Sequence, residues 1–119
     1  MLSLDLNLSK RYESFCLKVS CPLEECSFEG ETQYVSPYDL CMNVPTARIK
    51  VTLLKLLSQN VTVSTGNVTV NGNISGYTIE GDRYLIGIVI NKTDRLSWKR
   101  FLAGKNWLSL HTEIRHVSP

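Results

Sequence analysis

A chain of 119 residues with 43% hydrophobic and 20% charged residues is long enough for one buried core and too apolar for disorder. No interior stretch has linker composition, so residues 1–119 read as a single globular domain. The longest apolar run, residues 84–90, falls far short of the roughly 20 residues of a membrane-spanning helix. The net charge of +2 conceals a split: residues 1–47 hold Lys10, Arg11 and Lys18 against seven acids, and residues 48–119 hold ten basic groups against four. Such a dipolar chain suits an anionic partner or a neighbouring copy of itself.

The N-terminus alternates Leu2, Leu4, Leu6 and Leu8 with Ser3, Asp5 and Asn7. That is strand patterning over residues 2–9, unlike the basic-then-apolar pattern of a signal peptide. The expected location is intracellular, cytoplasmic or nuclear, or peripheral on a membrane, and not secreted. Residues 12–20 predict a second strand with Phe15, Leu17 and Val19 on one face, ended by Cys21 and Pro22. The acidic segment LEECSFEGE reads as a loop or edge strand. Ser36, Pro37 and Asp39 have the chemistry of a helix start, stopped by Pro45. Residues 47–58 fit a helix face through Ile49, Leu53, Leu56 and Leu57, and a strand through Ile49, Val51 and Leu53. The β-branched content favours the strand.

Residues 60–91 read as a β-meander. Val61 and Val63 alternate before a turn at Gly66, Val68 and Val70 before a hairpin turn at Asn71 and Gly72, and Tyr77 and Ile79 before a turn at Gly81. The apolar run YLIGIVI suits a central strand covered on both faces. The period then changes, with Thr93 or Asp94 able to cap a helix whose Trp98, Phe101 and Leu102 share one face, and Gly104 able to close it. Leu108, Leu110, Thr112 and Ile114 alternate as a last strand. The expected fold is α+β, mostly β: an antiparallel sheet of about six strands with one or two short helices.

In an intracellular protein Cys16, Cys21, Cys26 and Cys41 are expected as free thiols, and the sequons at Asn60, Asn67, Asn73 and Asn91 as ordinary turn and strand residues. Zinc knuckles pair ligands two to four residues apart, whereas these cysteines follow the spacing C-x4-C-x4-C-x14-C. No metal or cofactor is therefore assigned, with a zinc-stabilised fold through the four cysteines as the alternative. No catalytic motif is present, and nothing marks a cysteine as activated by His111 or His116, so the chain reads as non-enzymatic.

The segment with most to say about function is basic and aromatic. Lys92, Arg95, Lys99, Arg100 and Lys105 surround Trp98, with Trp107 just beyond, and Asp94 is the one acid among them. Cations beside amphipathic rings suit an anionic lipid surface, or nucleic acid with phosphate contacts and stacking. The competing arrangement is an amphipathic helix that buries its aromatics against the sheet and turns its cations to water.

RYLIGIVIN leading into that amphipathic segment, with the strand-forming RYESFCLKVS at residues 11–20, resembles the small matrix proteins of non-segmented negative-strand RNA viruses, of the bornavirus and rhabdovirus kind. The resemblance implies a compact α+β core that self-associates, binds anionic membranes and in some members RNA, and bridges nucleocapsid to envelope. The expected function is a self-associating matrix-like structural protein. The alternative is a small viral accessory protein that binds RNA or a host protein to counter host defence. Expected partners are further copies of the chain, an anionic membrane, RNA or nucleoprotein, and a host protein.

Overall fold

The computed structural model describes residues 14–104. Six antiparallel strands close into a barrel in the order β1-β2-β3-β6-β5-β4. They are β1 (Cys16–Cys21), β2 (Cys26–Val35), β3 (Asp39–Pro45), β4 (Asn60–Thr65), β5 (Val68–Glu80) and β6 (Arg83–Ile90). Two helices complete the described residues: α1 (Leu53–Leu56) and α2 (Arg95–Ala103). The mostly-β expectation of six antiparallel strands and short helices is what the chain adopts. The expected strands over 2–9 and 108–114 lie outside the described residues.

Alternation drives each strand. Leu17, Val19 and Cys21 of β1 point inward while Cys16 and Lys18 face water. On β2, Phe28, Gly30 and Thr32 are buried, then a bulge between Thr32 and Tyr34 resets the pleat so that Val35 turns inward. Leu40, Met42 and Val44 of β3 and Ile86, Ile88 and Ile90 of β6 complete that wall. Closure rests on three residue pairs between β1 and β4: Lys18 with Ser64, Val19 with Val63 and Ser20 with Thr62. Closure gives every strand a neighbour on both sides, although residues 74–80 of β5 pair with β6 alone.

The segment LEECSFEGE is a loop that runs into a strand with one open side, as read: residues 26–30 of β2 pair with β1 alone, and pairing with β3 begins at Glu31. Three local expectations are corrected. The helix expected after Ser36 is a tight turn into β3. Ser36 Oγ accepts from the backbone N–H of Tyr38 and Asp39, each at 3.1 Å, and donates to Asp39 Oδ1 at 2.6 Å. The groups that read as a helix cap satisfy a hairpin turn instead. Residues 47–58 are no strand: Thr46–Arg48 is a 3-10 turn, and Ile49, Leu53 and Leu56 are buried through the one-turn α1. Their helical spacing outweighs β-propensity because the two buried leucines of α1 fit the core as a plug.

The third correction concerns Asn71 and Gly72, which lie within β5 and form no turn. Gly72 pairs with Val61 on one side and Ile90 on the other, and a Cβ there would stand 2.5 Å from the Val89 carbonyl oxygen. Glycine is present because neighbouring backbone approaches closely in a tightly coiled barrel, not because φ is positive. The other two turns of the meander stand where expected, at Gly66 with φ 57° and Gly81 with φ 62°. The run in β6 is central as read, though on its outer side Val89 is exposed.

Gly72→Ala is expected to lower unfolding free energy by about 1–3 kcal/mol through forced overpacking. Gly76→Ala, where a Cβ would meet nothing within 4 Å, is expected to change it by under about 0.5 kcal/mol. Urea denaturation of both variants checks the contrast.

Candidate functional site

The basic and aromatic segment forms one end of the barrel. A 3-10 turn, Lys92–Asp94, leads from β6 into α2. Asp94 occupies the residue before the helix, as expected for a cap, but its carboxylate makes no capping bond. Its Oδ2 instead accepts from the Asn71 backbone N–H at 2.6 Å and from Asn71 Nδ2 at 3.1 Å. The Asn91 N–H donates to the Asn71 carbonyl at 2.9 Å. The entry to α2 is thus tied to β5 at the residue beside the close-approach glycine.

The helix then separates its aromatics from its cations. Trp98 is 0% exposed, Leu102 is buried with it, and Phe101 packs against the same core. The Trp98 and Phe101 rings stack at 5.4 Å between centroids, and Phe15, entering β1, meets Phe101 edge-on at 5.5 Å. Trp98 Nε1–H donates to the Ser36 carbonyl at 2.9 Å, so the one polar atom of the indole is satisfied in the interior. Trp98 is therefore a core residue and cannot anchor the protein to a surface. Of the alternatives read from sequence, the amphipathic helix packed on the sheet is the one that forms.

Lys92, Lys99 and Arg100 face solvent. Arg95 is half-buried: its Nε–H donates to the Ile90 carbonyl at 3.3 Å, and its guanidinium lies over the Tyr38 ring at 5.3 Å from the centroid. Tyr38 is 59% exposed, so the ring offers its surroundings a flat apolar surface beside a fixed cation. The structure brings Arg95 together with Tyr38, a residue the sequence reading passed over as part of a helix start. Its turn chemistry, Ser-Pro-Tyr-Asp, is the signal that could have placed Tyr38 at a hairpin tip. Lys105 and Trp107 lie outside the described residues.

Two open clefts lie elsewhere. One, of about 350 Å³, is lined by Lys18, Ser27, Phe28, Glu29 and Arg48 on the outer wall of β1 and β2. Its Arg48 Nη1–H donates to the Glu29 carbonyl at 3.3 Å, and Lys18 stands opposite Glu29 in the ladder. The second, of about 310 Å³, is lined by Ser20, Cys21, Pro22, Glu25, Cys26 and Ser27.

The cysteines do not assemble. Cys16 is exposed on β1, Cys41 is half-buried on β3, and Cys21 and Cys26 face each other at the start of the β1–β2 connection. Among the described residues no group of three or more Cys, His, Asp or Glu is placed to hold a metal ion. Burial pushes the Cys41 thiol up, helped by the nearby carboxylates of Asp39 and Glu80. No helix among the described residues is long and apolar enough to cross a membrane.

Neither protein-family models nor curated protein sequences match this chain. Solved structures do. K. pneumonia MrkH in its apo state superposes with a TM-score of 0.60 at 13% identity, covering 92% of this chain and 52% of MrkH. A second MrkH crystal structure gives a TM-score of 0.61, also at 13% identity, over 92% of this chain and 50% of that one. The PilZ domain of YcgR from Escherichia coli, with c-di-GMP, superposes at a TM-score of 0.52 and 11% identity, covering 91% of this chain and 95% of the domain. The chain therefore has the fold of a PilZ domain, and it spans about half the length of MrkH.

This likeness overturns the matrix-protein resemblance, since the neighbours are bacterial PilZ-fold proteins. With it fall the matrix function, the viral accessory alternative, and the membrane, RNA, nucleoprotein, host-protein and self-assembly partners inferred from it. The resemblance rested on alternating strands followed by a basic amphipathic helix, a pattern that bears on fold and does not identify function.

Asp94→Ala is expected to cost about 1 kcal/mol, because the Asn71 N–H loses a charged acceptor at a partly exposed site. Lys99→Ala, on the outer face, is expected to change stability by under about 0.5 kcal/mol. Thermal melts of the two variants check the difference.

Proposed function

We propose that this chain is a non-enzymatic binding module of the PilZ kind, and that it takes a cyclic dinucleotide of the c-di-GMP class at Tyr38 and Arg95. The observation that carries the reading is the guanidinium of Arg95 resting on an exposed Tyr38 ring at the barrel end. A flat ring can stack a purine, and a guanidinium with free N–H groups can pair with a phosphate in bidentate fashion. Lys92 and Lys99 stand beside Arg95 in sequence order, three residues before it and four after it, and would add attraction for a second phosphate.

The neighbours support the choice of ligand: the YcgR domain of the same fold carries c-di-GMP. The thiols support the non-enzymatic part. Cys21, Cys26 and Cys41 are all pushed up by burial, so none is activated as an enzyme's nucleophile at neutral pH, where their thiolates are scarce and react slowly.

Isothermal titration with c-di-GMP tests the reading. Wild type is expected to bind, Arg95→Ala to weaken binding by about tenfold or more, and Tyr38→Ala to weaken it comparably. Lys18→Ala, in the separate cleft on the barrel wall, is expected to leave binding unchanged. Absence of binding by wild type, or equal affinity in Arg95→Ala, overturns the proposal.

A further inference from the structure

Cys21 ends β1 and Cys26 begins β2, and the two are directly opposite in the antiparallel ladder. Opposed residues share a face, here the inner one, with Leu17 and Val19 behind Cys21 and Phe28 behind Cys26. The ladder alternation is fixed by the Thr32 N–H donating to the Phe15 carbonyl at 2.9 Å. Counting pairs from there makes Cys21 and Cys26 a hydrogen-bonded pair, with Cα atoms about 5.5 Å apart. That Cα separation lies within the range a disulfide spans, roughly 4.4–6.8 Å, and forming the bond requires the turn end of the hairpin to draw the Cβ atoms in from about 5 Å to roughly 3.5–4.5 Å.

The connection keeps the pair close. Pro22–Glu24 forms a 3-10 turn, Glu25 sits at φ 49°, and the Glu25 N–H donates to the Pro22 carbonyl at 3.1 Å. The two sulfurs differ in access. Cys21 is fully buried and its thiol donates to Gln59 Oε1 at 3.2 Å. Both residues line the open cleft of about 310 Å³, where Cys26 is half-buried and Cys21 has no exposed surface, so an incoming reagent meets Cys26 first.

We propose that Cys21 and Cys26 are a reversible dithiol–disulfide pair, oxidised by peroxide through Cys26 and resolved by Cys21. The Cys26 thiolate attacks one peroxide oxygen, the O–O bond breaks, and Cys26 becomes a sulfenic acid as the departing oxygen leaves as water after protonation. The Cys21 thiolate then attacks the Cys26 sulfur, the S–S bond forms, and the S–O bond breaks to release a second water. Two thiols and one peroxide give one disulfide and two waters, the sulfurs losing two electrons and the peroxide gaining them. A dithiol reductant reverses the change by exchange.

The bond alters more than the hairpin. Gln59 links the thiol to the surrounding turn: its Oε1 accepts from Cys21, and its Nε2 donates to the Lys55 carbonyl at 2.6 Å and to Glu24 Oε2 at 3.4 Å. Oxidation removes the S–H donor, leaving Gln59 held by its amide nitrogen and α1 less firmly tied to the end of β1. Burial raises both thiols, and the Glu24 carboxylate adds to the rise at Cys26. The thiolate is therefore scarce at neutral pH, and oxidation accelerates by about tenfold per pH unit up to the alkaline range.

The test is hydrogen peroxide treatment followed by thiol titration and peptide mass mapping. Wild type is expected to lose two of its four thiols, to yield a linked peptide pair containing Cys21 and Cys26, and to regain both thiols with dithiothreitol. The double variant Cys16→Ser with Cys41→Ser, which leaves Cys21 and Cys26 intact, is expected to lose both of its remaining thiols and to yield the same linked pair. Cys26→Ser is expected to abolish the linked pair, with circular dichroism reporting its fold. A link through Cys16 or Cys41, a dimer joined through Cys26, or sulfinic acid at Cys26 with Cys21 still alkylatable overturns the proposal.

Discussion

The burial of Trp98 is the interaction on which this molecule's functional end depends. A nine-residue helix is too short to persist in water on its own, so α2 exists because the barrel accepts its apolar face. The indole fills the opening between Phe15 and Phe101, and its N–H finds the Ser36 carbonyl. That hydrogen bond joins the helix to the β2–β3 turn, two segments 62 residues apart in sequence. With the rotation of α2 set by Trp98, Arg95 comes round to the Tyr38 ring and Lys99 is turned outward. The cation and the exposed ring of the candidate site are placed together by a residue that no ligand could touch.

The barrel that receives Trp98 is narrow, and its tightness is visible in its glycines. At Gly30 a Cβ would lie 2.5 Å from the Asn43 carbonyl oxygen, and Gly72 is equally crowded by Val89. Six strands close only by coiling strongly, and strands that coil need places where backbone passes backbone without a side chain between. Bulges between Thr32 and Tyr34 on β2 and between Ile74 and Gly76 on β5 supply the remaining curvature. The opposite end is closed more simply, by Leu53 and Leu56 of α1. The molecule is thus plugged at both ends, and its polar groups lie on the rims and the outer faces of the strands.

Much of the fold was legible in the amino-acid order because alternation is a direct image of a two-faced sheet. Leu17 and Val19, Val61 and Val63, and Ile86, Ile88 and Ile90 all lie on the side the pattern assigns them. Gly66 and Gly81 marked real turns because only they take positive φ in the meander. Gly72 misled because the pair Asn-Gly signals a turn locally, whereas the need for a small residue at that point arises from β6 passing alongside, a contact no local window contains. Ser36 misled for a related reason: its hydroxyl can satisfy backbone N–H groups in a helix cap or in a hairpin turn, and the following alternation of Leu40, Met42 and Val44 decides for the turn. Of the candidate site, the cations were visible and Tyr38 was not, because its proximity to Arg95 is created by closure of the barrel. At 11–13% identity to the structural neighbours, the fold class was within reach of pattern reasoning and the likeness to the PilZ fold was not.

The account places a PilZ-fold barrel under a helix whose inner face is structural and whose outer rim carries the charge. Its central claim is the inward position of Trp98, and the indole N–H reports on that directly. In a Trp107→Phe variant, hydrogen exchange of the Trp98 indole proton by NMR, read beside iodide quenching of its fluorescence, makes the measurement. The account predicts an indole proton protected as strongly as the amides of β5 and β6, and emission that iodide barely quenches. An indole proton that exchanges at the rate of free tryptophan, with emission fully quenched, would contradict it.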